Sequence, residues 1–326
     1  MKKKKNIIIV AMCILIFSAL GFLITYKLLD KEEHSKTETK EKEKITPLMY
    51  EITKEGSSNK IYLFGSIHLA NIIDIEFPEY LLNAYQNSHY LACEFDIISY
   101  QSNQEMVMKD VEKLMYTDGT KIKDHLNKET YEKMVNFLKE KEMYSELYEI
   151  YKPLFFESLI SQIMAQDAGI NSSSGIDDYF IRKAKKDSKN ILEVETGSYQ
   201  TDLLLSFSDE LYDLILSETI DKYKDEVNDL KELYASWKKG DPNKLLEFSD
   251  EEIETDETYT KEQIDLVNDY NTKIINERNQ NMTDKLIEYF DNNYDTFYMV
   301  GALHLIGNSG IAKLLEQKGY TVKQVN

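Results

Sequence analysis

The sequence predicts a mixed α/β (α+β) fold, with a central sheet assembled from the two ends of the chain around a large helical insertion. Three observations carry this expectation. Ile61-Tyr62-Leu63-Phe64-Gly65-Ser66-Ile67-His68 runs an apolar strand into a Gly-x-x-His turn, and Phe297-Tyr298-Met299-Val300-Gly301-Ala302-Leu303-His304 repeats the pattern near the other end. Each copy is followed by helix-forming sequence and a second strand, at 90–95 and 320–325. Between about 104 and 187 the apolar residues recur at helical spacing. With 12 Gly and 5 His in 326 residues, two Gly-x-x-His matches behind aromatic-aliphatic strands exceed chance.

Before the first unit, residues 2–5 are all lysine and residues 7–26 carry no charge. At about 1.5 Å per residue such a helix crosses a hydrocarbon core of roughly 30 Å. The lysines before it orient the N-terminus toward the cytoplasm. A cleaved signal peptide would have a shorter apolar core and a small-x-small site, which Leu20-Gly21-Phe22-Leu23 does not offer. Residues 1–30 are therefore expected to be a signal anchor and 31–46 a polar, flexible stalk. Residues 47–326 would form one extracytoplasmic domain with a single-pass membrane attachment.

Within that domain, residues 48–53 and 61–65 read as strands joined by the turn Glu55-Gly56-Ser57-Ser58-Asn59-Lys60, a hairpin whose first strand could be an edge. A short amphipathic helix at 79–87 precedes the buried strand at 90–95. Helices are expected at 105–115, 127–140, 142–148 and 154–168, then, after the loop 171–175, at 176–186. A strand at 190–195 leads to helices at 202–217 and 219–238, closed by Gly240-Asp241-Pro242. An acidic, exposed run at 249–257 precedes the longest helical pattern, 260–290. Only four prolines, at 47, 78, 153 and 242, interrupt the chain, which suits long helices.

Composition bounds the function. The chain is 42% hydrophobic and 11% aromatic, with 23 Tyr, enough for a sizeable core. A net charge of −19 excludes a nucleic-acid partner, whose phosphates require a basic face. Cys13 and Cys93 sit in unlike contexts and imply no disulfide. The sequence has no Gly-rich phosphate loop, His-Glu-x-x-His or Gly-x-Ser-x-Gly motif.

The candidate site residues follow from the strand ends. His68 and His304 are expected to end adjacent strands and converge, as two imidazoles with a carboxylate do at catalytic metal centres. Gly65 and Gly301 would let backbones approach closely there. Glu94 closes the apolar run Leu91-Ala92-Cys93, where an unpaired charge is costly, and a metal or a buried arginine would relieve it. Cys93 alternates to the opposite face and reads as core. Glu195 ends another strand, with Gln200 five residues on. Asp177 either caps the helix 176–186 or sits in its first turn. Glu277 and Arg278, adjacent on the long helix, point about 100° apart, so one of them facing the site is expected.

Together these segments resemble the TraB/GumN family, which includes the Tiki proteases and the pheromone-shutdown proteins. The similarity rests on Leu63-Phe64-Gly65-Ser66-Ile67-His68, the strand ending at Glu94, and Gly175-Ile176-Asp177 with Ala184. It continues through Leu192 to Glu195-Thr196 and Gln200, Glu277-Arg278-Asn279 with Met282, and Val300-Gly301-Ala302-Leu303-His304 with Gly307. Cys93-Glu94-Phe95-Asp96 stands where many relatives read Val-Glu-Val, which keeps Glu94 and leaves Asp96 ambiguous. The resemblance implies a metal-dependent hydrolase with His68, Glu94 and His304 as ligands of a divalent ion (Mn²⁺, Co²⁺ or Zn²⁺). Glu195 or Glu277 would then serve as general base, and Arg278 would stabilise an oxyanion or clamp a substrate carboxylate; for Asp177 the resemblance leaves a site-lining role and a capping role equally open. Tiki members trim the N-termini of secreted signalling proteins, and pheromone-shutdown members reduce the activity of a peptide signal. The expected function is thus a membrane-anchored, extracytoplasmic peptidase acting on peptides or protein N-termini. The alternatives are a non-catalytic protein that sequesters a peptide and an erythromycin-esterase-like small-molecule hydrolase.

Overall fold

The computed structural model describes residues 41–170, 175–249 and 259–325. The expected span at 7–26, most of the stalk, most of the loop at 171–175 and nearly all of the acidic run at 249–257 lie outside the described residues. Among the described residues no helix is long and apolar enough to cross a membrane.

The chain enters through β1 (Glu43–Lys44), β2 (Met49–Thr53) and β3 (Ile61–Ser66), then β4 (Ile75–Glu76), α1 (Glu79–Asn87) and β5 (Tyr90–Cys93). Helices α2 (Ile97–Ser102), α3 (Gln104–Lys113), α4 (Lys128–Glu140), α5 (Pro153–Asp167) and α6 (Ile176–Lys186) follow. Next come β6 (Asn190–Glu193), α7 (Gly197–Leu205), α8 (Asp209–Asp221), α9 (Tyr223–Lys239) and α10 (Pro242–Leu246). The last part holds α11 (Lys261–Asn271), a π-helical turn (Thr272–Glu277), α12 (Arg278–Asp291), β7 (Thr296–Gly301), α13 (Ile311–Gln317) and β8 (Thr321–Gln324).

Six of the strands form one sheet in the order β6-β5-β7-β3-β2-β8. β6, β5, β7 and β3 are mutually parallel, β2 runs antiparallel to β3, and β8 runs antiparallel to β2. The two chain ends are thus interleaved, as the repeated units predict, and the two Gly-x-x-His strands are direct neighbours, Gly65 opposite Val300 and Ser66 opposite Gly301. The expected hairpin is present, but β2 is not an edge, because β8 covers it. All six residues of β7 are buried, the pattern of a parallel strand covered on both faces. On one face, Phe64, Phe297, Phe180 and Tyr85 pack ring to ring at 5.2–5.8 Å, which binds α1 and α6 to the sheet.

The insertion is helical as expected, with shifted boundaries. The helix expected at 142–148 is a short 3₁₀ turn, Glu146–Ile150, because Glu142 takes a left-handed φ of 57° and breaks the run. The pattern expected as two helices from 202 to 238 divides into three. Ser208 caps the α8 N-terminus through Leu211 N–H and so ends the segment begun by α7. α5 is buried along twelve of its fifteen residues, which makes it the centre of the helical layer. That layer is tied to the sheet where it matters for the site: Trp237 of α9 donates its indole N–H to the carbonyl of Gly65 at 2.9 Å.

Candidate active site

Four parallel strands end on one edge of the sheet, and each is followed within three residues by a polar side chain. β3 delivers His68, β5 Glu94, β6 Glu195 and β7 His304. Ligand sites of open α/β sheets form outside the carboxyl ends of the strands, so topology alone gathers these four. Close approach of the two Gly-x-x-His turns depends on Gly65. A Cβ there would lie 2.9 Å from the Ala302 Cα, so only glycine lets the turns pack.

The centre of the cluster is Arg278, which is fully buried. The π turn immediately before it feeds it and Asn279 inward, while Glu277 remains exposed. Its Nε donates to Glu195 Oε1 at 2.9 Å, and its Nη2 donates to Glu94 Oε2 and Glu195 Oε2, each at 2.8 Å. Nη1 donates to His304 Nε2 at 3.2 Å and to the Ile274 carbonyl at 3.4 Å. A guanidinium has five N–H donors, and all five are engaged. Gln200 donates its amide to both Glu94 Oε2 and Glu195 Oε2 at 2.9 Å, and Gly301 N–H donates to Glu94 Oε1 at 2.9 Å. The cost of burying Glu94 is thus met by an arginine, one of the two solutions its sequence context allowed.

His68 stands on the other side of Glu94. Its Nδ1 donates to Asp177 Oδ2 at 2.9 Å, and Ser66 Oγ donates to Asp177 Oδ1 at 2.8 Å. Asp177 therefore serves the site and not the helix end: Gly175 occupies the α6 cap position, with no side-chain cap bond. His68 Nε2 lies 4.0 Å from Glu94 Oε1, too far for a hydrogen bond. Two hydrogen bonds to one water span that distance, whereas two metal–ligand bonds of about 2.0–2.2 Å reach it only at an angle of about 130° or more, so a tetrahedral ion would draw the pair closer by about half an ångström. Asp177 also supplies what a ligating imidazole needs, a carboxylate on its other ring nitrogen. His68 and Glu94 therefore present two donors to a shared gap, the carboxylate oxygen and, in the neutral ring, Nε2. His304 does not in this arrangement, because its Nε2 meets Arg278. Among the described residues no group of three or more His, Cys, Asp or Glu side chains is placed to hold a metal.

The charges separate the two histidines. Burial works against a charged His68, but the carboxylates of Asp177 and Glu94 outweigh it and carry its pKa to about 9. Burial together with Arg278 pushes His304 down to about 3. For Glu94 burial pulls upward, yet Arg278 and the histidines hold it near about 2.

Of the residues singled out from the sequence, His68, Glu94, Glu195, Arg278, Asp177 and His304 join one connected cluster, and Glu277 does not. Glu277 lies on the rim, close enough to the half-exposed Tyr199 that it adds, after burial and Glu195, to the rise of that phenol's pKa. Asp96 caps α2 through Ser99 N–H and pairs with Lys185, a structural role. The roles of Ser66, Gln200 and Asn279 escaped sequence reasoning. Each is a short polar side chain one to five residues from a recognised position, and only the fold shows which way it points.

A mixed sheet whose parallel strand ends gather two histidines and two carboxylates around a buried arginine, with a third carboxylate from α6, defines an α/β protein with a polar centre built from the whole length of its domain. The chain belongs to the TraB/PrgY/gumN family, whose model matches residues 48–324. It is similar to the Uncharacterized protein YbaP of Escherichia coli (strain K12), 23% identical over 266 residues that cover 81% of this chain and 90% of that protein. The Uncharacterized protein YbaP of Shigella flexneri matches to the same extent. No solved structure matches this chain.

Proposed function

We propose that the protein is a hydrolase of peptide bonds, tethered to the membrane by residues 7–26, with its reacting centre in the gap between His68 and Glu94. The observation that carries this reading is the aligned set Asp177–His68–Glu94, with 4.0 Å between His68 Nε2 and Glu94 Oε1 at the sheet's carboxyl edge. Asp177 fixes the His68 ring and directs Nε2 into the gap, while Gly301 N–H fixes the facing oxygen of Glu94. Arg278 and Gln200 hold Glu195 and the other Glu94 oxygen, so neither is free to act as a mobile base. That leaves His68 Nε2 as the lone pair directed into the gap, available to an ion there when the ring is neutral. A divalent cation held by His68 and Glu94 would supply a Lewis acid that polarises the scissile carbonyl and lowers the pKa of a bound water. With its five donors engaged, Arg278 organises the carboxylates and leaves oxyanion stabilisation to other groups.

The acidic domain and the apolar N-terminal stretch support an extracytoplasmic peptide or secreted protein as substrate, with Mn²⁺, Co²⁺ or Zn²⁺ as the ion. The test is incubation of the full chain with unmodified and N-terminally acetylated peptides, with and without each metal, read by mass spectrometry. Products that depend on His68 and are lost on chelation support the reading. Stoichiometric peptide binding without product contradicts it and favours sequestration. Ester cleavage that persists after chelation favours the small-molecule hydrolase.

A further inference from the structure

The two Gly-x-x-His histidines look equivalent in sequence but are held by opposite chemistry. The logic on the His304 side is closed at every step. Asn279 is fully buried, and its side-chain nitrogen donates to the Ser309 carbonyl at 3.0 Å. A carbonyl only accepts, so the amide orientation is fixed and Asn279 Oδ1 faces His304 Nδ1 at 2.6 Å. That oxygen only accepts, so Nδ1 carries the proton. Nε2 meets Arg278 Nη1 at 3.2 Å, and a guanidinium only donates, so Nε2 presents its lone pair. His304 is thereby the neutral Nδ1–H tautomer, with both ring nitrogens used and 2% exposure. His68 is half open by comparison. Its Nδ1 is held by Asp177, its Nε2 faces a 4.0 Å gap, and its side chain is 13% exposed.

We infer that His304 is a positioning residue, which with Asn279 and the Ser309 carbonyl aims the Arg278 guanidinium across Glu94 and Glu195, and that of the two histidines only His68 touches the reacting centre. The nature of that centre rests on the hydrolase reading above; the tautomer and the partner of His304 do not. Ser309 follows the second Gly-x-x-His turn by five residues, and Asn279 follows Arg278 directly. One helix and one turn therefore carry the whole relay.

The full chain has five histidines, so long-range ¹H–¹⁵N spectra of histidine-labelled protein resolve each ring once single His→Gln variants assign them. The expected result is a His304 ring in the Nδ1–H form throughout the pH range in which the protein stays folded. On titration with Zn²⁺ alone, the His68 Nε2 signal moves to the metal-bound position and that of His304 keeps its hydrogen-bonded one. Asn279→Leu, which removes the acceptor, is expected to mix the His304 tautomers. A His304 that populates the Nε2–H form in the wild-type chain, or that takes the metal-bound shift together with His68, overturns the inference. If Zn²⁺ moves neither ring, the metal reading fails, and the His304 tautomer still decides this inference. The kinetic arm separates the roles further. His304→Gln, which retains an acceptor and a donor, is expected to lose about 10- to 100-fold in kcat/KM, as loss of a supporting partner does. His68→Gln is expected to lose about 10²- to 10⁴-fold, as loss of a reacting group does. Equal losses accompanied by equal loss of Zn²⁺ affinity would also overturn it.

Discussion

Glu94 is 2% exposed and carries its charge because three donors reach it: Arg278 and Gln200 on one oxygen, Gly301 N–H on the other. Removing one member of such a buried pair strands the other. Arg278→Ala is therefore expected to destabilise the fold by about 3–5 kcal/mol, measured by urea unfolding. Arg278→Lys should recover only part of this, since an ammonium has three donors where five are used. Asp177→Asn removes the charge behind His68 while keeping a side chain of the same size. Peptide cleavage should fall about 10- to 100-fold, and the melting temperature should fall with it, because the Asp177 carboxylate is what supports the charge on the buried His68. At this scale the sequence was informative where chemistry was costly. A carboxylate closing an apolar run had to have a partner, and of Glu277 and Arg278, about 100° apart, one was expected to face inward: Arg278 does, together with Asn279, while Glu277 stays on the rim. The open question at Asp177, cap or site, could not be resolved without knowing that Gly175 sits against His68.

Two elements place these residues. The π turn Thr272–Glu277 lies inside what reads as one long helix, and nothing in the periodicity of 260–290 announces it; it follows from the packing of Ile274, Arg278 and Asn279, all essentially fully buried. Gly175 brings α6 against the first histidine turn, and a Cβ at Gly175 would lie 2.0 Å from the His68 carbonyl oxygen. Gly175→Ala must therefore push Asp177 and His68 apart. The expected outcome is loss of activity comparable to Asp177→Asn together with a lower melting temperature.

The central helix α5 carries a different strain. Glu157 is 3% exposed, one of its oxygens has no hydrogen-bond partner, and burial lifts its pKa to about 8 against Ser161, its single hydroxyl donor. The folded state thus holds a proton that the unfolded state releases above about 4.5. The stability this group contributes is complete below about pH 4.5 and is lost as pH rises toward 8. Glu157→Gln should remove that loss, stabilising the protein at pH 8 by up to roughly 4–5 kcal/mol relative to its effect at pH 4.5. Thermal unfolding of both proteins across that range checks it.

At the scale of the molecule, the open sheet interleaves strands from before and after the helical insertion, and that insertion is fastened to the β3 end through Trp237. This architecture was legible because the same strand-and-turn pattern occurs twice and parallel neighbours place both turns on one edge. Helix boundaries in the insertion were less so, since caps such as Ser208 and the left-handed Glu142 depend on single residues within otherwise continuous helical patterns. The proposed tether at residues 7–26 predicts that the full chain fractionates with membranes and becomes soluble when residues 2–26 are deleted; a full chain found in the soluble fraction would refute it. The most direct test of the central claim is the rate of peptide cleavage by the purified full chain, wild type against His68→Gln, with Mn²⁺ supplied to both. The account predicts cleavage by the wild type and a loss of about 10²- to 10⁴-fold in a variant that remains folded. A folded His68→Gln protein that cleaves at the wild-type rate would contradict it.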